Sequence, residues 1–289
     1  MVADNTFEMI HDTLDKQVHC PLVIIAGDEC QQPPLQTING RTTQTTSILK
    51  NRRLREVCQI HSLYQQFRCT DKPYMDFLQY IRYSRPQQYV VDNFQPPLLL
   101  FNQSDITDLD IWHTVKDAPD ATFQTVSPDA ANCVNNIVIA RMFQEKTPVS
   151  TIPLENDVHD FLPFRDMRVV VTQNLNKRTG VVNSQLATIQ NNQNNTLLLK
   201  FPNGKTTFTY PVTTTTEDGR SRVHYALNPA YCMTICKTQG ANIKKLIVWF
   251  DCPTVPSGMG YIALSRVRKS EDIRILTPMV ADQLTPALT

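Results

Sequence analysis

The sequence lacks an apolar run long enough to cross a bilayer. Its longest runs, at 22–26 and 246–250, have five residues each, whereas a spanning helix needs about 20. The first residues also lack the basic stretch and apolar core of a secretory signal, because acidic residues interrupt them. We therefore expect a soluble protein that stays inside the cell, in the nucleus if the organism is a eukaryote, without a membrane partner.

The sequence also lacks a cysteine framework and an excess of charge of one sign. Its eight cysteines form no C-x-x-C pair, the spacing typical of zinc sites, and match no disulfide framework, so we interpret them as reduced thiols. Cys232 and Cys236 with His224 leave a metal site open as an alternative. A net charge of +1 does not by itself attract nucleic acid, so any DNA or RNA site must be a local basic groove.

A phosphate-binding P-loop is missing as well. Gly204-Lys205-Thr206 looks like the end of one, but the motif G-x-x-x-x-G-K-[ST] requires glycine at position 199, where the chain has Leu199. Asn203-Gly204 between alternating apolar residues instead predicts a type I′ β-hairpin. No other stretch of the chain fits the motif.

The patterns that are present predict an α/β protein with a small all-β insertion. A chain of 289 residues accommodates about two domains. The periodicity and turn residues of the first half predict a helix ending near His19, a buried parallel strand at 22–26, a helical region at 51–83 and a loop-rich stretch at 87–119. An all-β insertion is predicted at 164–225, with strands at 167–172, 185–190, 196–201 and 206–212. The remaining residues predict a helix-like segment around Thr234, a strand at 246–250, a helix at 261–268, a strand at 272–276 and a tail.

The eight residues at 27–34, GDECQQPP, follow the first predicted strand, where the ligand crevice of an open α/β sheet lies. They resemble helicase motif III, G-D-x-x-Q-x-P-P. The amide of Gln31 can donate to a phosphate oxygen and accept from a water, so it can report whether a γ-phosphate is present. Taken alone, the segment is equally compatible with a strand that ends in an ordinary Gly-Asp turn.

Two further segments resemble the same helicases. LYQQFR at 63–68 resembles motif IV, L-x-x-x-[FY]-R, in which Arg68 would offer a rigid fork of donors to phosphate; an isolated arginine is more often simply solvated. NLNKRTGVVN at 174–183 resembles the family segment N-x-x-x-x-x-G-[LV]-V-N-G, with Ser184 in place of the last glycine. In the family this segment leads into a small inserted β-barrel that resembles an SH3 fold.

The last two segments are the most specific. AYCMTICKTQG at 230–240 resembles motif V, A-[YW]-x-[ML]-T-[IV]-H-K-[ST]-Q-G, and departs from it at Cys236, where histidine is usual. The hydroxyl of Thr234 and the charge of Lys237 suit contacts to a DNA phosphate. GYIALSRVR at 260–268 resembles motif VI, with Arg266 as the arginine finger. An amphipathic helix would explain its composition, but not a six-residue match at the expected distance from motif V.

Five segments in the family order make the chain similar to the C-terminal part of superfamily 1 DNA helicases of the RecD/Pif type, over about residues 1–278. The resemblance implies RecA-like P-loop NTPase domains with an inserted SH3-like β-barrel, ATP and Mg²⁺ bound between the two RecA-like domains, and single-stranded DNA and duplex DNA junctions as partners. The implied divisions are the end of the first RecA-like domain at 1–50, the second RecA-like domain at 51–163 and 226–278, the barrel at 164–225 and a tail at 279–289.

The resemblance also implies roles for individual residues. The implied catalytic residues are Gln31, Arg68 and Arg266; the implied nucleotide-binding residues are Gly27, Asp28, Gln239 and Gly240; the implied DNA-binding residues are Gln32, Pro33, Pro34, Asn183, Thr234 and Lys237. The family activity is ATP-driven 5′–3′ translocation on single-stranded DNA and duplex unwinding, with DNA repair and recombination as the associated processes.

The beginning of the chain resembles a point inside the family sequence. Met1-Val2-Ala3 matches the end of a D-E-x-S-M-V stretch at the Walker B strand, so we expect the P-loop and the Mg²⁺-binding carboxylates to lie upstream of Met1. Residues 1–289 alone are therefore predicted to be inactive as an ATPase. Two alternatives stay open from the residues: a viral-type RNA helicase of superfamily 1, and a non-catalytic nucleic-acid-binding module.

Overall fold

The computed structural model of the chain describes residues 24–31, 35–38, 41–44, 59–63, 67–102, 105–150, 162–176, 181–215 and 219–287, together with residues 12, 13, 16, 52, 56 and 178. These residues belong to two compact units, which we describe separately. Unit 1 takes the described residues of 1–104 and 239–289, and unit 2 takes those of 105–238. None of the helices in the described ranges has the length and hydropathy of a membrane span. The helix predicted near the N-terminus lies almost wholly outside the described residues, and the predicted domain boundaries stay predictions.

The helices of the described residues have clear local causes. They are α1 (Lys72–Tyr83), α2 (Gln88–Phe94), α3 (Asp108–Asp117), α4 (Pro128–Met142) and α5 (Met259–Leu264). In α1 the Asp71 side chain accepts a hydrogen bond from the Tyr74 N–H, which caps the first turn. The buried side chains of α1 recur at helical spacing on one face: Tyr74, Phe77, Leu78 and Ile81.

The predicted helical region at 51–83 is confirmed at Lys72–Tyr83 and at residues 52 and 56, whereas residues 59–63 and 67–71 are not helical. The predicted loop-rich stretch at 87–119 is wrong in two places, since it contains α2 and α3. Helix α3 begins with a capping box, in which the Thr107 hydroxyl and the Asp110 carboxylate each bond the other residue's backbone N–H. That pair of residues was the sequence signal for the missed helix.

The strands of the described residues form short sheets. They are β1 (Leu35–Ile38), β2 (Arg41–Gln44), β3 (Thr122–Thr125), β4 (Arg168–Val171), β5 (Leu186–Gln193), β6 (Thr196–Lys200), β7 (Thr206–Thr209), β8 (Pro211–Thr215), β9 (Ser221–Tyr225), β10 (Leu227–Pro229), β11 (Cys232–Thr234), β12 (Leu246–Trp249) and β13 (Ile273–Ile275). In unit 1, β1 pairs with β2 antiparallel and β12 with β13 parallel. The strands predicted at 246–250 and 272–276 are thus confirmed. The strand predicted at 22–26 is not formed by its described residues, and Ile24 is 82% exposed.

Unit 2 contains an antiparallel sheet in the region predicted to be all-β. Its five-stranded sheet has the order β10-β4-β5-β6-β7, and β8 pairs with β9 beside it in sequence. The strands alternate between buried and less buried positions, with Ile189, Leu197 and Leu199 fully buried, because successive side chains of a strand point to opposite faces of the sheet. The first three strands predicted between 167 and 212 are present within three residues of their ends, and the fourth, 206–212, is divided between β7 and β8.

Two tight turns connect the hairpins of this sheet. Both residues of the turn at 194–195 have positive φ, 49° and 60°, as a type I′ turn requires. The hairpin predicted at Asn203-Gly204 is confirmed as β6 and β7, but its turn type is wrong, since only Gly204 of that pair has positive φ. The Gly204 N–H donates to the Phe201 carbonyl at 2.9 Å, so the turn is centred on Pro202-Asn203. Pro202, with φ fixed near −65°, excludes type I′ geometry for a turn centred there.

A parallel strand pair of unit 2 holds part of the motif V segment. Strands β3 and β11 pair in parallel, with Thr125 beside Thr234 at their carboxyl ends. The buried Asn135 of α4 holds β11 in place, because its Oδ1 accepts from the Tyr231 and Cys232 N–H groups and its Nδ2 donates to the Cys232 carbonyl. The helix-like segment predicted around Thr234 is wrong: the segment is a strand followed by a 3₁₀ turn, Ile235–Thr238.

The C-terminal segment packs against α5 instead of forming the predicted tail. Met279 and Leu284 are 1% exposed, and the Gln95 and Gln88 side chains accept hydrogen bonds from the Met279 and Ala281 N–H groups. The close approach depends on Gly260 of α5, where an added Cβ would lie 2.3 Å from the Gln283 carbonyl oxygen. A side chain at this position would therefore force backbone to move.

Ser184 gives a stability prediction. Its φ is 67°, a left-handed conformation that L-residues other than Gly, Asn and Asp adopt at a cost of about 1–2 kcal/mol. Ser184 stands where the family segment that residues 174–183 resemble ends in glycine. Ser184→Gly should therefore raise the free energy of unfolding by about 1 kcal/mol, measured by urea denaturation of the chain. Ser221→Gly in strand β9 is the matched control and should lower it, because glycine weakens a strand. Equal effects of the two variants would contradict this account.

Candidate functional site

Two predicted catalytic arginines of unit 1 meet at Ser265, just after α5. Arg68 Nη1 donates to the Ser265 carbonyl oxygen at 3.0 Å, and Arg266 Nη2 donates to the Ser265 hydroxyl at 2.6 Å. Arg266 Nε also donates to the Ile262 carbonyl oxygen at 2.7 Å. The structure thus brings the arginines of motifs IV and VI together, although 197 positions separate Arg68 from Ser265 in the chain.

Arg266 is buried, with 2% of its surface exposed. Burial, followed by the neighbouring Arg68 guanidinium, lowers the pKa of Arg266 to about 10, because both disfavour the charged form. Among the described residues, neither arginine has a carboxylate within ion-pair distance. Two cations held together without a paired anion form a site that suits an anionic ligand.

A network at the start of α1 holds the two arginine segments together. The Asp71 carboxylate accepts from the Tyr74 N–H at 3.2 Å and from both the N–H and the hydroxyl of Ser270. The Ser270 hydroxyl and burial act in opposite directions, and the net pKa of Asp71 is lowered. The Tyr74 hydroxyl donates to the Leu264 carbonyl oxygen. Because these bonds join α1 to the end of α5, they fix the backbone on either side of Ser265.

The predicted sensor Gln31 lies in a second polar cluster of unit 1. Its Nε2 donates to Asp28 Oδ2 at 3.0 Å, and its Oε1 accepts from Gln239 Nε2 at 2.8 Å. The structure therefore places together three residues predicted from two distant motifs, Asp28, Gln31 and Gln239. Asp28 Oδ1 also accepts from the Cys30 N–H at 3.0 Å, which closes the turn.

Sequence reasoning missed Arg82 of α1, which joins this cluster. Its Nη2 donates to Asp28 Oδ1 at 2.9 Å, and its guanidinium lies 5.6 Å from the centre of the Tyr261 ring, a cation–π distance. A signal was present: Arg82 follows buried Tyr74 and Leu78 at four-residue spacing, so it lies on the buried face of the helix. A charged residue on that face needs a partner.

Cys30, in the motif III segment, is one of the cysteines interpreted from the sequence as reduced thiols. The side chain is buried, and burial raises the pKa of its thiol although the Arg82 guanidinium acts in the opposite direction. A thiol with a raised pKa is a poor nucleophile at neutral pH. Cys30 is therefore a packing residue of the cluster.

The predicted DNA-binding residues that the structure describes lie in unit 2. Thr234 is half-buried at the carboxyl end of β11, and Lys237 is exposed in the following 3₁₀ turn. The buried Thr238 fixes that turn, since its hydroxyl donates to the Ile235 carbonyl at 2.8 Å and accepts from Gln124. Asn183 is exposed in the turn before β5, and the structure records no contact that joins it to Thr234 or Lys237.

The remaining predicted site residues have simpler placements. Gln32, Pro33 and Pro34 lie outside the described residues. Gly27 is exposed before the Asp28 turn. Gly240 has a φ of 85°, which most L-residues adopt only at a cost, so a glycine there allows the chain to turn directly after Gln239.

The alternative metal site would consist of Cys232, Cys236 and His224, and in the structure Cys232 and His224 make other contacts. The Cys232 thiol contacts the Thr125 hydroxyl at 3.8 Å, and the His224 ring bonds Thr214 and the Tyr225 carbonyl. In the described part of the chain, no three His, Cys, Asp or Glu side chains form a group able to hold a metal ion.

Comparison with known proteins identifies the fold. No protein-family model matches the chain, and no curated protein sequence matches it significantly. Solved helicase structures do match. Pif1 from Bacteroides bound to single-stranded DNA has a TM-score of 0.56 at 20% identity, covering 76% of this chain and 52% of that one. The Pif1 helicase of Candida albicans has a TM-score of 0.56 at 17% identity, covering 77% and 57%.

A third neighbour is a structure of two coordinating Pif1 helicases at forked double-stranded DNA, with a TM-score of 0.57 at 20% identity over 76% of this chain and 50% of that one. The chain therefore has a mixed α/β fold with parallel strands, similar to the matched part of these structures. More particularly, it is the fold of that part of Pif1 helicases. The chain spans about half the length of these neighbours.

The burial of Arg266 gives a prediction that separates stability from function. Because its pKa is lower in the folded than in the unfolded chain, the charged side chain destabilises the folded state at neutral pH, and stability rises with pH from about 10 toward the ordinary arginine value. Arg266→Met should therefore raise the free energy of unfolding at pH 7 by about 1 kcal/mol, measured in urea. Arg274→Met, an exposed control on β13, should change it by less than about 0.5 kcal/mol. A large loss in Arg266→Met would show that the guanidinium stabilises the fold.

Proposed function

We propose that the chain is the C-terminal part of an ATP-dependent DNA helicase of the RecD/Pif type, which translocates 5′–3′ on single-stranded DNA and unwinds duplex DNA. The observation that carries the proposal is the convergence of Arg68 and Arg266 on Ser265 without a carboxylate partner among the described residues. A transferring γ-phosphate is the anion that such a pair of arginines stabilises in this class of enzyme. The proposal includes roles in DNA repair and recombination, inside the cell.

The nucleotide would contact unit 1 through residues of four motifs. Arg68 and Arg266 would neutralise charge on the phosphates, and Gln31 with Gln239 would respond to the γ-phosphate. A structure of Bacteroides Pif1 in complex with ADP-AlF3 and single-stranded DNA, at 21% identity, supports nucleotide binding by this fold. Mg²⁺ does not fit these residues, because Asp28 is paired with Arg82.

Single-stranded DNA would contact unit 2 at the carboxyl ends of β3 and β11. The exposed ammonium of Lys237 and the hydroxyl of Thr234 would bind phosphates, a mode of contact that carries no sequence information. The Bacteroides neighbour binds single-stranded DNA, which supports this choice of partner. The antiparallel strands β4 to β10 would form the inserted SH3-like barrel, for which the sheet order and the following β8–β9 hairpin are the support.

The DNA contact of Lys237 gives a salt-dependence prediction. Each phosphate contact releases counterions, so Lys237→Ala should weaken single-stranded DNA binding for all sequences alike and reduce the slope of log K against log salt by slightly less than about one unit. Fluorescence anisotropy over a range of potassium chloride concentrations measures this slope. Lys116→Ala on α3 is the control, an exposed lysine that should leave the slope unchanged. Equal slopes for wild type and Lys237→Ala would exclude Lys237 from the groove.

The ATPase test uses the protein extended upstream through the expected P-loop. The extended protein should hydrolyse ATP when single-stranded DNA is added, and Arg266→Ala should abolish that turnover, since arginine fingers contribute about 10³- to 10⁵-fold. DNA binding should remain nearly intact. Arg266→Lys should not restore the rate, because a lysine cannot present two donors in one plane.

Two controls accompany this assay. Arg274→Ala, which removes an exposed arginine of β13, should retain the wild-type rate. Residues 1–289 alone should show no stimulated turnover, since phosphoryl transfer also requires backbone amides and a lysine around the β- and γ-phosphates. A short chain as active as the extended one would contradict the proposed division of the active site, and stimulation by RNA in place of DNA would favour an RNA helicase.

A further inference from the structure

Arg82 at the end of α1 contacts the Gln31 cluster without belonging to any helicase segment of the sequence. Its ion pair with Asp28 is partly shielded from water, with the two side chains 27% and 24% exposed. Shielding makes such a pair stronger than one on the open surface. The guanidinium also lies 5.3 Å from the Tyr83 ring centre and 5.6 Å from that of Tyr261. Arg82 is therefore held on several sides.

The Asp28 carboxylate uses both oxygens. Oδ1 accepts from Arg82 Nη2 at 2.9 Å and from the Cys30 N–H at 3.0 Å. Oδ2 accepts from Gln31 Nε2 at 3.0 Å. Since Arg82 and the Cys30 backbone hold the first oxygen, the second oxygen has a fixed direction toward Gln31.

A carboxylate only accepts hydrogen bonds, so it distinguishes the two ends of a glutamine amide. The NH₂ end of Gln31 faces Asp28, because the opposite orientation would place Gln31 Oε1 against a carboxylate oxygen. This turns Oε1 toward Gln239, whose Nε2 donates to it at 2.8 Å. Among the described residues, Asp28 is the acceptor recorded for Gln31 Nε2, so its second hydrogen would donate to a phosphate oxygen.

We infer that Arg82 is a positioning residue for Gln31: it holds the Asp28 carboxylate, and that carboxylate sets which end of the Gln31 amide faces Gln239. The orientation is a property of this chain alone. Its consequence for ATP hydrolysis rests on the proposed function. Without Arg82, Asp28 can rotate toward water, and the amide of Gln31 loses the anion that orients it.

The first experiment measures the amide directly. The chain is labelled with ¹⁵N-glutamine, and the side-chain NH₂ resonances of Gln31 and Gln239 are assigned by their loss in Gln31→Met and Gln239→Met. In Arg82→Met, the Gln31 NH₂ group should exchange with water about two- to tenfold faster, the range expected for loss of one hydrogen bond. Arg82→Lys should exchange at an intermediate rate, because it keeps the charge but not the planar fork.

Arg85→Met is the matched control, since Arg85 lies three residues on and pairs with Asp282 on the exposed surface, at 58% and 61% exposure. It should leave the Gln31 exchange rate unchanged. Asp28→Asn keeps the shape but can present either end of an amide, so it should reproduce the Arg82→Met rate, and Arg82→Met should add nothing to it. If Arg82→Met folds poorly, the Gln31 exchange rate in Asp28→Asn still tests the inference. An unchanged Gln31 rate in Arg82→Met or in Asp28→Asn overturns the inference.

The second experiment follows the consequence in the upstream-extended protein. Arg82→Met should lower the DNA-stimulated kcat about tenfold while the KM for ATP stays within about twofold, because the amide acts on the transferring phosphate rather than on nucleotide binding. Arg85→Met should retain both constants. If the wild-type extended protein shows no DNA-stimulated turnover, the proposed function is contradicted. The role of Arg82 is then decided by the hydrogen-exchange experiment alone. A normal kcat in Arg82→Met, with wild-type activity present, overturns the catalytic consequence.

Discussion

The burial of the Arg266 guanidinium is the constraint on which the candidate site depends. A buried cation must be given hydrogen-bond acceptors, and here the Ile262 carbonyl and the Ser265 hydroxyl supply them. Both acceptors lie at the end of α5, so Arg266 can be held only if that helix ends where it does. The bonds from Arg68, Thr70 and Tyr74 to the backbone of residues 264–268 then place the start of α1 against the same point.

Helix α5 is itself held by a close contact that depends on glycine. Gly260 allows the backbone of Gln283 and Leu284 to approach the helix, and the C-terminal segment is tied in turn by Gln88 and Gln95 of the region around α2. The arginine pair is thus supported from both sides by packing that makes no contact with a ligand. Substitutions at Gly260, Gln88 or Gln95 would therefore affect activity indirectly, by moving Ser265.

Much of this arrangement could be predicted from the sequence, for identifiable reasons. The continuous apolar run at 246–250 specifies a buried strand by its short length and β-branched residues. The residues of β5 to β7 specify strands because their burial alternates with a period of two. Motif spacing was enough to select Arg68, Arg266, Gln31 and Gln239, and the structure places them in two pairs. The segment around Thr234 was misjudged, because its strand is only three residues long and is fixed by Asn135 from another element. Likewise, Pro202 changed a turn type that Asn203-Gly204 alone predicts.

Arg82 shows why motif matching leaves part of such a site unseen. The motif arginines Arg68 and Arg266 have no ion-paired carboxylate among the described residues, whereas Arg82 is paired with Asp28. An arginine without a paired carboxylate keeps its charge for an anionic ligand, whereas a paired one directs its charge to its partner. The charge of Arg82 is used within the protein, in its ion pair with Asp28. The position of Arg82 is therefore set by geometry, because its side chain must reach Asp28 from a helix face that Tyr74 and Leu78 define. Such a residue is found from the contacts of the folded chain, since several helix positions could meet that requirement and sequence spacing alone does not select among them.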